Sequence, residues 1–246
     1  TLLCALFSFS SCDMFKLDNY DEPEETLQGE VVDVATGERV LTDQGSEGIR
    51  VRLTELSWGE NVTHNPDFYC MPDGSFQNTK LFKGTYNIRI DGPFIPILRE
   101  DSRGVPLADE TKEMEIKGTT KVKFEVQPFL KVELIGEPTI SNGKITAKVK
   151  VTRAVSEEIF KEKVEPMGDY SDSFLNMTDI QLFVSYSSSV GFRAKDDRWS
   201  SKIEYTGTDF SSLFGQEITI KSIGTIPSGR TVFIRAAARI NYDTPK

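Results

Sequence analysis

The chain has 246 residues and only one histidine, His64. Ser-His-Asp and Cys-His nucleophilic machinery would both have to be built on it. It sits in a polar stretch, Asn61 to Asn65, where a solvated side chain is the ordinary reading. Cysteine is scarce too, with only Cys4, Cys12 and Cys70. A zinc site takes three or four His, Cys or acidic ligands, which one histidine and one free thiol do not supply. No P-loop and no G-x-G-x-x-G occurs, so phosphate-cradling backbone motifs are excluded as well. Neither a metal nor a cofactor is expected. Basic clusters are missing: residues 13–127 hold 23 acidic and 13 basic side chains, and residues 128–246 hold 15 and 16. A phosphate backbone would be repelled by the first half and find no basic footprint in the second, which excludes nucleic acid as a partner.

Long apolar runs are absent, and the most apolar stretch is the first eleven residues, TLLCALFSFSS. A helix of that length is too short to span a bilayer. We read residues 1–11 as the remnant of a lipoprotein signal peptide. Phe9-Ser10-Ser11-Cys12 resembles a bacterial lipobox, an apolar residue and two small ones before the cysteine that becomes lipidated. It places Phe9 where leucine is usual. The alternative is a leader cut after small residues by the ordinary peptidase, with Cys12 incidental. If Cys12 carries lipid and Cys4 leaves with the leader, Cys70 stands alone and no intrachain disulfide forms. Cys70, inside the apolar run Phe68-Tyr69-Cys70-Met71, reads as a small buried hydrophobe. Residues 12–26 form an acidic tether, five of the eight from Asp18 to Glu25 being carboxylates, and their composition predicts disorder. A carboxylate run at this place resembles the export signal of Bacteroidetes surface lipoproteins; a plain solvated linker is the other reading.

From there the chain is patterned for strands. Ile49, Val51 and Leu53 alternate with Arg50 and Arg52, as do Tyr86, Ile88 and Ile90 with Asn87 and Arg89. Ser57 to Pro72 reads as a loop, and Gly92 to Asp109, punctuated by Pro93, Pro96 and Pro106, as a surface excursion. The stretch Asp73-Gly74-Ser75-Phe76 … Leu81-Phe82-Lys83-Gly84-Thr85-Tyr86 resembles the carboxypeptidase-regulatory, transthyretin-like β-sandwich domains. Residues 27–127 form this first sandwich. The chain restarts at Gln127-Pro128, and residues 128–246 hold seven short strands with turns between them, the pattern of an immunoglobulin- or fibronectin-like sandwich. Asn142-Gly143 predicts a type I′ hairpin turn, Ser156 the cap of a short helix through Val164, and Glu165 to Thr178 a polar loop. The fold class is all-β: two β-sandwich domains, transthyretin-like and then immunoglobulin-like.

Paired carboxylates for glycoside hydrolysis would have to come from acids that cluster in the tether and in turns, where solvation is their ordinary role. Asp33, Asp73 and Asp109 lack the dense spacing of a calcium loop. What remains is aromatic. Trp58 and Tyr69 fall in or beside one loop of the first domain, and Trp199 in the Asp196-Asp197-Arg198-Trp199 segment of the second. Rings in loops can stack on the CH faces of a sugar while polar neighbours bond its hydroxyls. The opposing reading makes each ring a plug for its own sandwich, and for Phe68 and Tyr69 that is the favoured one.

The runs Gly29 to Asp33, Thr42-Asp43-Gln44-Gly45, Gln77-Asn78-Thr79-Lys80-Leu81-Phe82 and Gly92-Pro93-Phe94 carry a wider resemblance. Over both domains the chain is similar to Bacteroidetes lipoproteins of unknown function from SusC/SusD-type polysaccharide-utilisation loci. That resemblance implies acyl anchoring at Cys12, exposure on the outer-membrane surface, and SusC/SusD-type transporter proteins as partners. It carries over no catalytic residues. The expectation is a non-catalytic, lipid-anchored surface protein that binds glycan or supports a polysaccharide-uptake complex. The alternatives are a protein-binding scaffold or adhesion-like spacer and, last, a glycan-active enzyme. Labelling cells with radioactive palmitate checks the anchor: the native chain should take up label and a Cys12→Ala chain should take up none.

Overall fold

The computed structural model describes residues 22–57, 59, 63–64, 67–205 and 212–244. The leader, Cys12, the first part of the tether and Trp58 lie outside them. Among the described residues the first unit has ten strands: β1 (Glu25–Asp33), β2 (Arg50–Glu55), β3 (Thr63–His64), β4 (Phe68–Tyr69), β5 (Ser75–Leu81), β6 (Gly84–Asp91), β7 (Leu98–Glu100), β8 (Pro106–Asp109), β9 (Lys112–Ile116) and β10 (Thr119–Val126). One sheet runs β10-β1-β5, with β1 parallel to β10 and antiparallel to β5. The other runs β3-β2-β6-β9, with β4 also on β2, and β7 pairs with β8 apart from both. The alternation read from the sequence has a direct physical outcome. Val51 faces Ile90 and Leu53 faces Ile88 across the β2–β6 ladder, and all four are fully buried. Tyr86 is fully buried and keeps its hydroxyl bonded by donating to the Phe82 carbonyl at 2.8 Å.

The second unit has β11 (Leu130–Leu134), β12 (Thr139–Ser141), β13 (Lys144–Arg153), the helix α1 (Glu157–Val164), β14 (Met177–Ser185), β15 (Ser201–Glu204), β16 (Glu217–Lys221) and β17 (Phe233–Ile240). One sheet holds β11, β12 and β16 around β13, and the other is β15-β14-β17. Among the described residues, seven strands in sheets of four and three match the expected sandwich. Asn142 and Gly143 have φ of 50° and 71°, the positive angles their turn requires. Ser156 accepts from the Ile159 N–H at 3.3 Å, capping α1. Among the described residues β17 is paired on one side only, and Ile234, Ala236 and Ala238 are only partly buried against the core.

Four expectations are corrected. The first strand starts at Glu25, inside the predicted tether, because β1 needs its full length to pair with both neighbours. The Ser57 to Pro72 loop contains β3, with His64 on it, and β4, both added to the edge of β2. The proline-rich excursion is not wholly on the surface: Phe94, Ile95 and Ile97 are buried, and only the β7–β8 hairpin emerges. The polar loop from Glu165 to Thr178 holds two 3-10 turns, one of which buries Leu175.

The two sandwiches are packed together on two sides. Ile95 of the first enters a small core with Phe129, Val155, Phe160, Val164 and Leu175 of the second. The Ile95 N–H donates to the Gln127 carbonyl at 2.9 Å, and the Phe129 N–H to the Pro93 carbonyl at 3.1 Å. On the other side Arg235 of β17 donates to the Thr42 carbonyl at 2.6 Å and to the Pro72 carbonyl at 3.3 Å. The Phe192 N–H bonds the Asp43 carboxylate, and Arg193 donates to Ser46 Oγ.

Gly29 illustrates how tightly the first core is closed. It stands opposite Phe76 in the β1–β5 ladder, and a Cβ there would overlap the Phe76 ring. Gly29→Ala should lower the unfolding free energy by about 1–3 kcal/mol, the usual cost of overpacking. Urea titration measures it, and adding Phe76→Leu should recover part of the loss.

Candidate functional site

The small core between the sandwiches is built of aromatic rings. Phe129 and Phe160 meet edge to face at 5.7 Å. Tyr242, two residues past β17, packs against both, at 5.6 Å from Phe129 and 5.3 Å from Phe160. Phe174, in the 3-10 turn at Asp172–Leu175, meets Tyr242 at 5.2 Å in a tilted arrangement. Tyr170 closes the group at 5.8 Å from Phe174. Such contacts contribute about 0.5–1.5 kcal/mol per pair beyond burial. Phe129 and Phe160 are buried, whereas Phe174 and Tyr242 are half-buried, so they form the edge of the cluster.

That edge is one wall of a cleft of about 740 Å³, within the ordinary range for ligand sites of roughly 300–1,000 Å³. The opposite wall belongs to the first sandwich: Arg89 of β6, Leu98 and Glu100 of β7, and Asp101. The second sandwich contributes Val164, Met167, Gly168 and Asp169 after α1, then Phe174 and Asn241 to Asp243. Neither unit forms the cleft alone. Apolar rings on one side and charged groups around them suit a ligand with both CH faces and hydroxyls.

Three of the cleft's polar groups, Arg89, Asp101 and Asn241, are held in place. Arg89 donates to Asp91 Oδ1 at 2.7 Å, and Asp91 also accepts from Arg50 at 2.7 Å. This joins the cleft to the ion-paired outer face of β2 and β6, where Arg50 and Arg52 hold Asp67 at 3.3 and 3.1 Å. Asp101 accepts from the Val105 and Arg103 N–H groups and pairs with the Arg103 side chain at 2.7 Å. The Val105 N–H is the main cause, with Arg103 behind it, of the lowering of the Asp101 carboxyl below its ordinary range. The Asn241 amide donates to Ser173 Oγ at 3.3 Å. Burial pushes the Tyr242 phenol up to about 12. Among the described residues no group of three or more His, Cys, Asp or Glu is placed to hold a metal ion.

Of the aromatic candidates named from the sequence, the two that fall among the described residues, Tyr69 and Trp199, are not among those lining this cleft. Trp58 lies outside the described residues. Tyr69 is half-buried in β4, in register with Arg50, while its neighbour Phe68 packs edge to face on Phe76 at 6.0 Å. Trp199 is corrected outright: it is 3 % exposed and belongs to the core of the second sandwich, so its ring offers no face to a sugar. Its indole lies under exposed Tyr186, edge to face at 5.0 Å. Phe174 and Tyr242 were missed. The signal was present in Tyr170, Phe174 and Leu175, apolar groups spaced through a stretch read as polar. Cys70 is 2 % exposed and burial raises its thiol to about 12, so it is an inert core group as expected.

The raised phenol predicts an alkaline weakness. Tyr242 holds its proton in the folded chain up to about pH 12, whereas an ordinary tyrosine loses it near 10.0. The unfolded chain therefore binds fewer protons between those values, and stability present below pH 10 is lost as pH rises toward 12. Tyr242→Phe should flatten that loss. Denaturant midpoints against pH, with tyrosinate absorbance followed in parallel, measure it.

Over residues 25–127 the chain matches the family described as "Protein of unknown function (DUF3823) N-terminal domain". Among solved structures, a DUF3823 family protein from Bacteroides uniformis is 69 % identical, with 91 % of this chain and 92 % of that one covered and a TM-score of 0.88. A second Bacteroides uniformis protein, named "putative carbohydrate binding protein", is 19 % identical over 88 % of this chain and 89 % of its own, with a TM-score of 0.59. A DUF3823 family protein from Parabacteroides merdae is 16 % identical over 90 % and 93 %, with a TM-score of 0.61. The latter two show a common fold and nothing finer. No curated protein matches the chain. Identity of 69 % over nearly the whole of both chains shows kinship beyond fold, and the chain belongs to the DUF3823 family.

Proposed function

We propose that this chain is a non-catalytic glycan-binding lipoprotein of the outer-membrane surface, anchored through Cys12, and that it holds carbohydrate in the cleft between its two sandwiches. The observation that carries the reading is the placement of Phe174 and Tyr242 together at the edge of a cleft whose lining also carries charged and amide groups. A sugar ring buries its CH face on such rings and spends its hydroxyls on the groups around them. The name of the 19 % identical structural neighbour lends weak support. Surface display and a place beside a SusC/SusD-type transporter are supported by the sequence resemblance alone. No helix among the described residues is long and apolar enough to cross a membrane, so a lipid on Cys12 would supply the attachment.

One observation favours a second reading, a protein-binding scaffold. The edge of β17 is unpaired among the described residues and has partly buried apolar side chains behind it, a geometry that can accept an added strand.

Affinity electrophoresis and calorimetry against a polysaccharide panel separate the two. The glycan reading expects at least one polysaccharide to bind. It also expects Phe174→Ala to weaken that binding about tenfold, the loss of roughly 1.4 kcal/mol. No binding to any polysaccharide, together with recovery of transporter proteins from membranes, would replace the first reading with the second.

A further inference from the structure

We infer that the cleft selects neutral glycans and rejects those bearing uronate or sulfate groups; this rests on the reading of the cleft as a glycan site. Among the described residues that line it the formal charge is lopsided, with Glu100, Asp101, Asp169 and Asp243 set against the single guanidinium of Arg89. The pairing within the walls sharpens this. Arg89, the one cation among the described residues that line the cleft, has its Nε bound to Asp91 at 2.7 Å. Asp101 is bound to Arg103, also at 2.7 Å. Glu100, Asp169 and Asp243 are exposed and come from three separate segments: the end of β7, the turn after α1 and the stretch after β17. They do not converge into a group that could hold a metal ion. What they leave around the rings is a set of exposed acceptors.

A carboxylate is acceptor-only, so its natural partner is a hydroxyl donor, and a neutral sugar is rich in those. A uronate or sulfate group brings more acceptors and a negative charge to the same place. Among the described residues it finds one cation lining the cleft, Arg89, already engaged by Asp91, against four carboxylates, and the repulsion of the exposed ones acts through solvent and is screened by salt. The wider field acts in the same sense, because the whole chain carries a formal charge of −9 and its acidic excess lies in the half that supplies one wall. Rings and acceptors thus divide the work: Phe174 and Tyr242 hold the sugar's face, and the carboxylates set which sugars are admitted.

Calorimetry on residues 13–246 tests this with neutral galactan, mannan and β-glucan against polygalacturonate, alginate and chondroitin sulfate. We expect a neutral glycan to bind at least about tenfold more tightly than any acidic one at roughly 0.02 M salt. The gap should narrow at roughly 0.3 M salt, where screening extends over less than about 8 Å. The triple variant Glu100→Gln, Asp169→Asn, Asp243→Asn removes three exposed charges. It should keep the native urea midpoint and cut the ratio of neutral to acidic affinity about tenfold, since the charge repulsion is removed while the amide oxygens can still accept from sugar hydroxyls. Acidic glycans binding as tightly as neutral ones to the native chain would overturn the selectivity and leave the glycan site standing. A triple variant with unchanged discrimination would overturn the role of these three carboxylates. Failure of every glycan, neutral and acidic, would overturn the glycan reading and this inference with it.

Discussion

The packing of Tyr242 against Phe129 and Phe160 is the contact on which the molecule's organisation depends. Phe129 opens the second sandwich, Phe160 lies on its helix, and Tyr242 follows its last strand. Their convergence brings the start, middle and end of one domain to the seam with the other. Ile95 enters the same cluster from the first sandwich, so the seam is a shared apolar core and not a flexible linker. Edge-to-face geometry suits this place, because three rings meeting at near right angles fill a small volume without leaving a void.

The second contact, on the far side of the seam, is polar. Arg235 reaches two backbone carbonyls that sheet ladders leave unused, at Thr42 and Pro72. A planar guanidinium serves both at once through two separate nitrogens in a fixed fork. The Asp43–Phe192 and Ser46–Arg193 bonds lie beside it. The Thr42-Asp43-Gln44-Gly45 run, which has no evident chemistry in sequence, therefore docks one domain on the other. With an aromatic core on one side and this latch on the other, the relative placement of the sandwiches is determined, and so is the width of the cleft. A ligand there would pay little to organise it.

Much of the fold was legible because its signals are local. Strict alternation in Arg50 to Leu53 and Tyr86 to Ile90, Asn142-Gly143 and the Ser156 cap each state their structure within a few residues. The errors fell where long-range pairing decides. β3 and β4 are two-residue strands that exist only because β2 offers them an edge, and nothing within their own sequence distinguishes them from loop. Trp199 in Asp196 to Trp199 has the look of an exposed loop ring, yet Asp196 binds Arg198 and turns the chain back so that the indole is buried. Prolines after Gly92 read correctly as a departure from the sheet, but not as one that first passes through the seam.

The sequence by itself determined the class of structure and much of the inventory of chemistry: two β-sandwiches, a single histidine, a Cys70 thiol set in an apolar run and an acidic first half. These follow from periodicity and composition, which are properties of neighbouring residues and simple counts. Only the tertiary structure decided where a ligand could sit. The cleft takes Arg89 and Glu100 from one domain and Phe174 and Tyr242 from the other, residues separated by up to most of the chain. No local pattern records which turns will face each other across a seam, because that is decided by how two finished domains bury their remaining apolar surface.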